Sequence, residues 1–390
     1  MIPYGHQDIS EDDINAVVGV MRSEWLTQGP MVPRFEKAMA EYSTAKYALA
    51  VNSATSALHI SCMALDVGPG DWVWTSPNTF VASANCAEYC GAQVDFVDID
   101  SQSYNMSVTK LATKLEQAQN ENRLPKVVIA VHFAGQSCDM EAIHNLSKKY
   151  GFYIVEDASH AVGGTYQGRP IGNCQFSDVS IFSFHPVKII TTAEGGLALT
   201  NDPSLAEKMT LLRSHGVTRD QQQIEDSVDG PWHYKQITLG YNYRMTEIQA
   251  ALGLSQMSRL DEYVAKRNEI SKWYDQQLSD TLWITPAQES FQSSARHLYV
   301  VRLPDDMISQ KLDIFNFLRE KGVGVNVHYI PVHTQPYYRE KNIDYGDLSA
   351  SEKYYHSAIS IPLYPTLDRD DQQYIISCLT DSLSRKRIMK

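Results

Sequence analysis

Three short segments carry residues whose types and spacing suit chemistry. The first surrounds Lys188, in Ser183-Phe184-His185-Pro186-Val187-Lys188-Ile189-Ile190. The lysine stands between Val187 and Ile189, with no acid near it in sequence. Desolvation lowers a lysine pKa, and the neutral amine is the form that attacks an aldehyde. Pro186 restrains the turn that would aim it. A lone loop lysine is usually solvated, so its case rests on the apolar setting and on a second group. That group is Asp157, which follows the apolar run Phe152-Tyr153-Ile154-Val155. An acid just past a parallel strand lies on the edge where α/β sheets bind ligands. A buried carboxylate needs a partner, and a protonated pyridine nitrogen would be one that also strengthens the ring as an electron sink. A helix-capping aspartate is the plain alternative.

The third segment is Asn52-Ser53-Ala54-Thr55-Ser56-Ala57, between an apolar run and a helical pattern. Small residues at a strand-to-helix turn leave backbone N–H groups at the positive end of a helix dipole, which suits an anion. Ser53 and Thr55 could add hydroxyls; a simple Ser/Thr cap is the alternative. The glycine patterns of P-loops and dinucleotide folds are absent, which disfavours a nicotinamide oxidoreductase.

These segments need a scaffold. Apolar runs at 47–51, 127–131, 152–155, 179–184 and 197–199 alternate with helical patterns at 55–65, 140–150 and 203–213. That alternation predicts an α/β domain with a largely parallel sheet, covered by helices on both faces. Thr246 and Gln249 form a capping-box pattern, and a helical stretch runs from there to about Asp275. Beyond it, 298–303 and 323–330 read as strands and 309–321 as a helix, a smaller C-terminal α+β unit. We expect a large domain over 1–250 and a small one over 251–390.

Composition narrows the function. A formal net charge of −12 disfavours nucleic acid as a partner. The six cysteines lack zinc-ligand spacing and read as buried free thiols. No apolar run reaches the ~20 residues of a membrane helix, and the first residues do not read as a signal peptide. A cytoplasmic location without membrane association is the resulting expectation.

Taken together, the motifs resemble the DegT–DnrJ–StrS type of sugar aminotransferase over nearly the whole chain. The likeness runs from Leu26-Thr27-Gln28-Gly29-Pro30 through the 52–58 turn, Pro77-Asn78-Thr79-Phe80, Glu156-Asp157 and the Ser183–Lys188 stretch. It continues through Glu194-Gly195-Gly196, Asn242-Tyr243-Arg244-Met245 and His328-Tyr329-Ile330-Pro331 to Leu363-Tyr364-Pro365. The resemblance implies the fold-type I aminotransferase architecture and a homodimer with shared sites. It implies pyridoxal 5'-phosphate carried on Lys188, with Asp157 at the pyridine nitrogen. Ser53, Ala54, Thr55 and Ser183 would then hold the phosphate, and Phe80 would stack on the ring. His160 would lie near the cofactor, and Asn242 would reach the phosphate in the partner subunit. Gln136, His185, His328 and Tyr329 would face the substrate. Relatives that dehydrate sugars replace the lysine by histidine, so Lys188 favours transamination over a dehydratase or a regulatory protein of the same fold. The wording of 52–58 and 182–196 is similar to the branch that aminates UDP-linked 4-keto-6-deoxy-hexosamines for pseudaminic acid, with L-glutamate as donor. Basic residues for a sugar diphosphate would be among Arg219, Lys235 and Arg244. The 213–235 stretch, with Arg213, His215, Trp232 and His233, reads as a substrate lid or a solvated loop.

Overall fold

Apolar alternation along the strands dictates a sheet with two buried faces. In the computed structural model, which describes residues 1–220, 230–288 and 292–384, that sheet has seven strands. They are β1 (Tyr47–Val51), β2 (Trp72–Thr75), β3 (Gln93–Phe96), β4 (Val127–Val131), β5 (Tyr153–Asp157), β6 (Val179–Ser183) and β7 (Gly196–Thr200). Their order across the sheet is β1-β7-β6-β5-β4-β2-β3. Neighbours pair in parallel except at β7, which runs antiparallel to both β1 and β6. Val128, Ala130, Ile154 and Phe182 join one core cluster, while Val127, Ile129, Val155 and Ile181 join another. Period-two alternation therefore feeds two apolar layers, and each large aliphatic so buried contributes roughly 1.5–3 kcal/mol.

Helices cover both layers. α1 (Glu11–Met21) and α2 (Met31–Ser43) precede the sheet. α3 (Ala54–Ala64), α4 (Ala82–Tyr89), α5 (Val108–Asn120) and α6 (Met140–Tyr150) connect its strands, and α7 (Pro203–Leu212) follows β7. α2, α5 and α6 supply Phe35, Met39, Leu111, Leu115 and Ile143 to the first cluster. α3, α4 and α7 supply Ile60, Cys62, Ala84, Cys86 and Met209 to the second.

The long helical stretch after Thr246 is broken. α8 (Glu247–Met257) begins with the expected capping box, and α9 (Leu260–Leu278) follows after a tight turn at Ser258–Arg259. No glycine or proline marks that break. It coincides with capture of the Arg259 guanidinium by buried Asp13 on α1, which also accepts from Ser255 Oγ at 2.6 Å and Gln256 Nε2 at 2.7 Å.

A third cluster unites α9, β8 (Tyr299–Arg302), α10 (Lys311–Glu320) and β9 (Ala358–Ile361), closed by α11 (Ser349–Ser357) and α12 (Arg369–Ser384). The strand expected at 323–330 is not there; β8 pairs instead with β9. Residues 323–326 form only single bridges, Ile2 with Val323 and Asn326 with Ser360. Asn326 Oδ1 accepts the Val327 amide at 2.8 Å, taking that donor from any ladder. Of the 213–235 stretch, residues 221–229 lie outside the described residues; Val217–Thr218 pairs with Lys235–Gln236. Among the described residues, no helix is long and apolar enough to cross a membrane, and no cluster could hold a metal ion. The six cysteines are unpaired, and all but the partly exposed Cys90 are buried.

One acid ties the N-terminal helices to this frame. Pro30 offers α2 no side-chain cap. Fully buried Glu247 supplies it from α8, accepting the amides of Met31 at 2.6 Å and Val32 at 3.2 Å. Glu247→Ala strands those donors and is expected to cost about 2–4 kcal/mol in chemical denaturation, with Glu247→Gln losing less. Equal stability of the Ala variant and the wild type would show that water replaces the cap.

Candidate active site

The parallel strands point their carboxyl ends at one cavity of about 930 Å³. The turn after β1 contributes Asn52–Ser56, and the loop after β2 contributes Thr79 and Phe80. β5 contributes Asp157 and the turn holding Ser159 and His160; β6 leads to Ser183, His185 and Lys188. The opposite wall comes from the smaller C-terminal unit, with His297 and Asn326–Tyr329, and from Tyr4. Tyr4 is brought there because Ile2 bridges to Val323 and Leu363 N donates to the Tyr4 carbonyl at 3.1 Å.

The β1 turn is built as an anion cradle. Ser53 caps α3, accepting the Ser56 amide at 3.1 Å. The amides of Ala54 and Thr55 remain among those without an intrahelical acceptor. Gly196 opens β7 against this turn: a Cβ there would meet Ala54 N and Ser53 C at 2.4 Å. Only glycine lets the two backbones approach so closely.

Asp157 is the last residue of β5 rather than the first beyond it, in register with Val131. It is buried, and Ser83 Oγ donates to its Oδ2 at 2.6 Å while the Ser159 amide donates to Oδ1 at 3.2 Å. Glu156 points to the other side, paired with His132 Nε2 at 2.7 Å and with Ser177, and so serves the core. Burial pulls the Lys188 amine down to about 8, opposed by the negative charge of Asp157. A lysine normally near 10.4 is thereby made a competent nucleophile close to neutrality.

Around the amine sit neutral histidines. His160 Nδ1 accepts the Ala134 amide at 3.2 Å, so its proton is on Nε2, which donates to Tyr329 Oη at 3.1 Å. His328 Nδ1 lies 2.8 Å from Ser360 Oγ. The His297 ring centre is 4.4 Å from that of His160. Burial, seconded by neighbouring charge including Lys188, holds His160 and His297 well below the usual imidazole value and His328 at about 4. Burial also pushes the Tyr329 phenol up, so its hydroxyl keeps its proton.

Of the residues expected from sequence, Ser53, Ala54, Thr55, Phe80, Asp157, His160, Ser183, His185, Lys188, His328 and Tyr329 meet at this cavity. Phe80 is 59% exposed, an aromatic face left free beside the cavity. Gln136 does not line the cavity: it is buried in the loop after β4, with its carbonyl held by Asn105 Nδ2 at 3.0 Å. Asn242 is exposed and also outside the lining, its carbonyl facing Asn52 Nδ2 at 3.4 Å. Sequence reasoning passed over His297, Tyr4, Asn326, Thr79 and Ser83. His297 is fixed by long-range pairing, its amide donating to the Ala134 carbonyl at 2.9 Å, which no local pattern announces.

The residues fit pyridoxal phosphate on their own chemistry. A desolvated amine, a buried carboxylate with acceptor capacity left, a capped helix start with free amides and an exposed aromatic face line one cavity.

A model of the DegT/DnrJ/EryC1/StrS aminotransferase family matches residues 7–380. A Campylobacter jejuni UDP-4-amino-4,6-dideoxy-N-acetyl-beta-L-altrosamine transaminase is 37% identical over 386 residues, 99% of this chain and 98% of its own. The Bacillus subtilis spore coat polysaccharide biosynthesis protein SpsC is 38% identical over 387 residues, 97% of this chain and 96% of its own. Among solved structures, Helicobacter pylori PseC, an aminotransferase involved in the biosynthesis of pseudoaminic acid, aligns with a TM-score of 0.89 at 32% identity over 98% of both chains. The PLP-form of the sugar aminotransferase Spr1654 of Streptococcus pneumoniae aligns with a TM-score of 0.88 at 31% identity, again over 98% of both.

The buried histidines make stability pH-dependent. Their folded pKa values lie below the unfolded value near 6.5, so the unfolded chain binds more protons as pH falls. The stability they allow is complete above 6.5 and declines through that value toward about 4, where His328 itself titrates. Each contributes a slope of at most about 1.4 kcal/mol per pH unit. Melting temperatures from pH 7.5 to 4.5 should fall, and less steeply for His328→Gln; an unchanged slope in that variant would count against a neutral buried His328.

Proposed function

We propose that this chain, which belongs to the DegT/DnrJ/EryC1/StrS aminotransferase family, moves the amino group of L-glutamate to carbon 4 of a UDP-linked 4-keto-6-deoxy-hexosamine. The chain is a pyridoxal-phosphate-dependent sugar aminotransferase. The finer reading names UDP-2-acetamido-2,6-dideoxy-beta-L-arabino-hex-4-ulose as acceptor, and pseudaminic acid as the end to which the product is made. The observation that carries the transaminase reading is the Lys188 amine, desolvated to a pKa of about 8 in a cavity shared with Asp157. The acceptor is supported by the names of the Campylobacter and Helicobacter relatives.

The cofactor, when bound, supplies an aldehyde that condenses with amines and a ring that takes up electrons. The chain supplies placement and proton transfer. Lys188 Nζ would hold the cofactor, and its free amine would take the proton from the glutamate α-carbon. Later it returns a proton to carbon 4 of the sugar. Asp157 keeps the ring nitrogen protonated. The Ala54 and Thr55 amides with the Ser183 hydroxyl would hold the phosphate, and Phe80 would cover one ring face; Ser53, whose proton goes to Ser56 Oγ because that of Ser56 goes to Asn52 Oδ1, would serve by capping the turn. His160 keeps Tyr329 aimed into the cavity, and His185, His328 and Tyr329 meet the substrate. Gln136 is buried in the loop after β4 and outside the cavity lining, with its Nε2 left without a partner. Exposed Asn242 reaches the phosphate of a second copy, in a homodimer. The division into units falls near residue 250; the separate apolar cluster built from α9, α10, α12, β8 and β9 supports it.

Purified protein is expected to show the absorbance of lysine-bound cofactor, lost on addition of glutamate and restored by the UDP-linked 4-keto sugar. Bleaching without recovery would keep the aminotransferase and send the acceptor to another nucleotide keto sugar, and failure of glutamate to bleach would exclude it as donor. Lys188→Ala should bind pyridoxal phosphate weakly and lack turnover; normal turnover would overturn the assignment of Lys188. Capture of the cofactor by protein stripped of it should accelerate with pH around a midpoint near 8, since the neutral amine is the nucleophile. A midpoint near 10.4 would mean that Lys188 is solvated.

A further inference from the structure

A chain of hydroxyls ends on Asp157. Ser83, in the first turn of α4, is fully buried, and its Oγ donates to Asp157 Oδ2 at 2.6 Å. The same oxygen lies 2.7 Å from Oγ1 of buried Thr79. A hydroxyl has one proton to give. With that of Ser83 committed to an anion, Thr79 must be the donor in the second bond. The direction is therefore fixed, from Thr79 to Ser83 to Asp157.

The other carboxylate oxygen, Oδ1, holds the Ser159 amide at 3.2 Å. Each oxygen thus has one donor and keeps a lone pair for the cavity that Asp157 lines. The stretch carrying Thr79 is itself fixed to the opposite wall. Pro77 O accepts the Val332 amide at 2.9 Å, and Asn78 Oδ1 accepts the Tyr329 amide at 3.3 Å. Hydrogen bonds to an ionised acceptor are about twice as strong as neutral ones, and they hold it ionised.

We propose that Ser83 is a positioning residue of the transamination site: it holds the Asp157 carboxylate ionised and oriented toward the pyridine nitrogen, and Thr79 orients Ser83. The inference rests on the reading of Asp157 as the partner of that nitrogen. The titratable groups facing Asp157 are Lys188 from the turn after β6, Tyr329 from the opposite wall and Cys86 from α4. Burial and its neighbours raise Tyr329 and Cys86, so neither ionises near neutrality. Lys188 is the one cation of the set, and its loss of charge near 8 lies on the alkaline side.

The test compares Ser83→Ala, Thr79→Val and Asp157→Asn in the holoenzyme for steady-state kinetics, and in cofactor-stripped protein for the affinity of pyridoxal phosphate by fluorescence titration. Ser83→Ala is expected to lower kcat and cofactor affinity each by about tenfold, the size of one lost charge-assisted hydrogen bond. KM for the keto sugar should stay within about twofold, and the acid limb of the kcat profile should move up by about one pH unit. Thr79→Val should move the limb in the same direction by less. Wild-type kcat, acid limb and cofactor affinity in a folded Ser83→Ala protein would overturn the proposal. If circular dichroism shows that Ser83→Ala does not fold, Thr79→Val decides, and an unmoved limb with unaltered affinity overturns it. An unimpaired Asp157→Asn enzyme would instead overturn the reading of Asp157 beneath it; an impaired one with Ser83→Ala intact removes the positioning role alone.

Discussion

A lysine half-buried at the floor of the cavity is the constraint on which the rest of the structure turns. The amine must be uncharged often enough to react, and burial does this by pulling it down to about 8. Burial alone would overshoot, as fully desolvated lysines fall several units. The Asp157 carboxylate opposes the shift and sets where it stops. The same carboxylate is buried, and it is given two donors, Ser83 and the Ser159 amide. The histidines follow from the same logic. Positive charge on His160, His297 or His328 would repel the lysine, and burial keeps them neutral. As neutral rings they become directional parts, with His160 accepting from a backbone amide and donating to Tyr329.

The sheet meets these demands through topology rather than through any one strand. β1, β2, β4, β5 and β6 deliver their ends to one edge, which brings an anion cradle, an aromatic face, an acid and an amine together from residues 52 to 188. β7 is the exception in direction, and its exceptional residue is Gly196, whose lack of a side chain lets β7 start against the cradle of Ser53 and Ala54. The second wall is held at a fixed distance by backbone pairing. Gly135, at φ +100, leaves no room for a Cβ against the amides of Arg296 and His297, and its carbonyl accepts from Ala295 at 3.0 Å. The two walls of the cavity are therefore joined by backbone pairing as well as by the side-chain bonds of Asn78 and His160 to Tyr329.

What could be read from the sequence was what local pattern encodes. β1, β4 and α6 fall where apolar runs and helical spacing put them, and the Thr246 capping box is present as spelled. Lys188, Asp157 and the Ser53 turn were legible because each sits next to a strand end, where position implies direction. β2, β3 and β9 were missed because Thr75, Gln93, Asp95 and Ser360 interrupt or end so short a run, whereas β8, equally short, lies within the longer apolar stretch 298–303. The stretch 323–330 misled because its apolar alternation serves a loop whose amide is claimed by the Asn326 side chain. The break between α8 and α9 was invisible because its cause, Asp13, lies on another helix. Ser83, His297 and Tyr4 act at the cavity through partners tens to hundreds of residues away, and Thr79 reaches Asp157 only through Ser83, so nothing adjacent in the chain announces them.

The charge on the cavity wall has a further consequence. Among the residues lining it, Lys188 is the one lysine or arginine, and its charge is already committed by burial and by Asp157. A nucleotide sugar brings a diphosphate, and amides at a helix start can serve one phosphate, which the cofactor claims in the reading given above. Cations for the second anion must then come from outside this wall. The basic residues in the stretch between α7 and α8 are candidates by position, and Arg244 alone of them has a buried Nε without an acceptor. Its Nη1 donates to Ser214 at 3.1 Å, and Ser214 in turn bridges to Asn242, so this arm is braced rather than floppy near its base. The arm runs along the β1 turn, with Asn52 N donating to the Tyr243 carbonyl at 2.8 Å and Arg244 bridged to Val51, so its charge starts beside the cavity and outside the lining. In the homodimer proposed above, such an arm would serve a neighbouring cavity, and an anionic substrate would be met without arginines beside the lysine in its own wall.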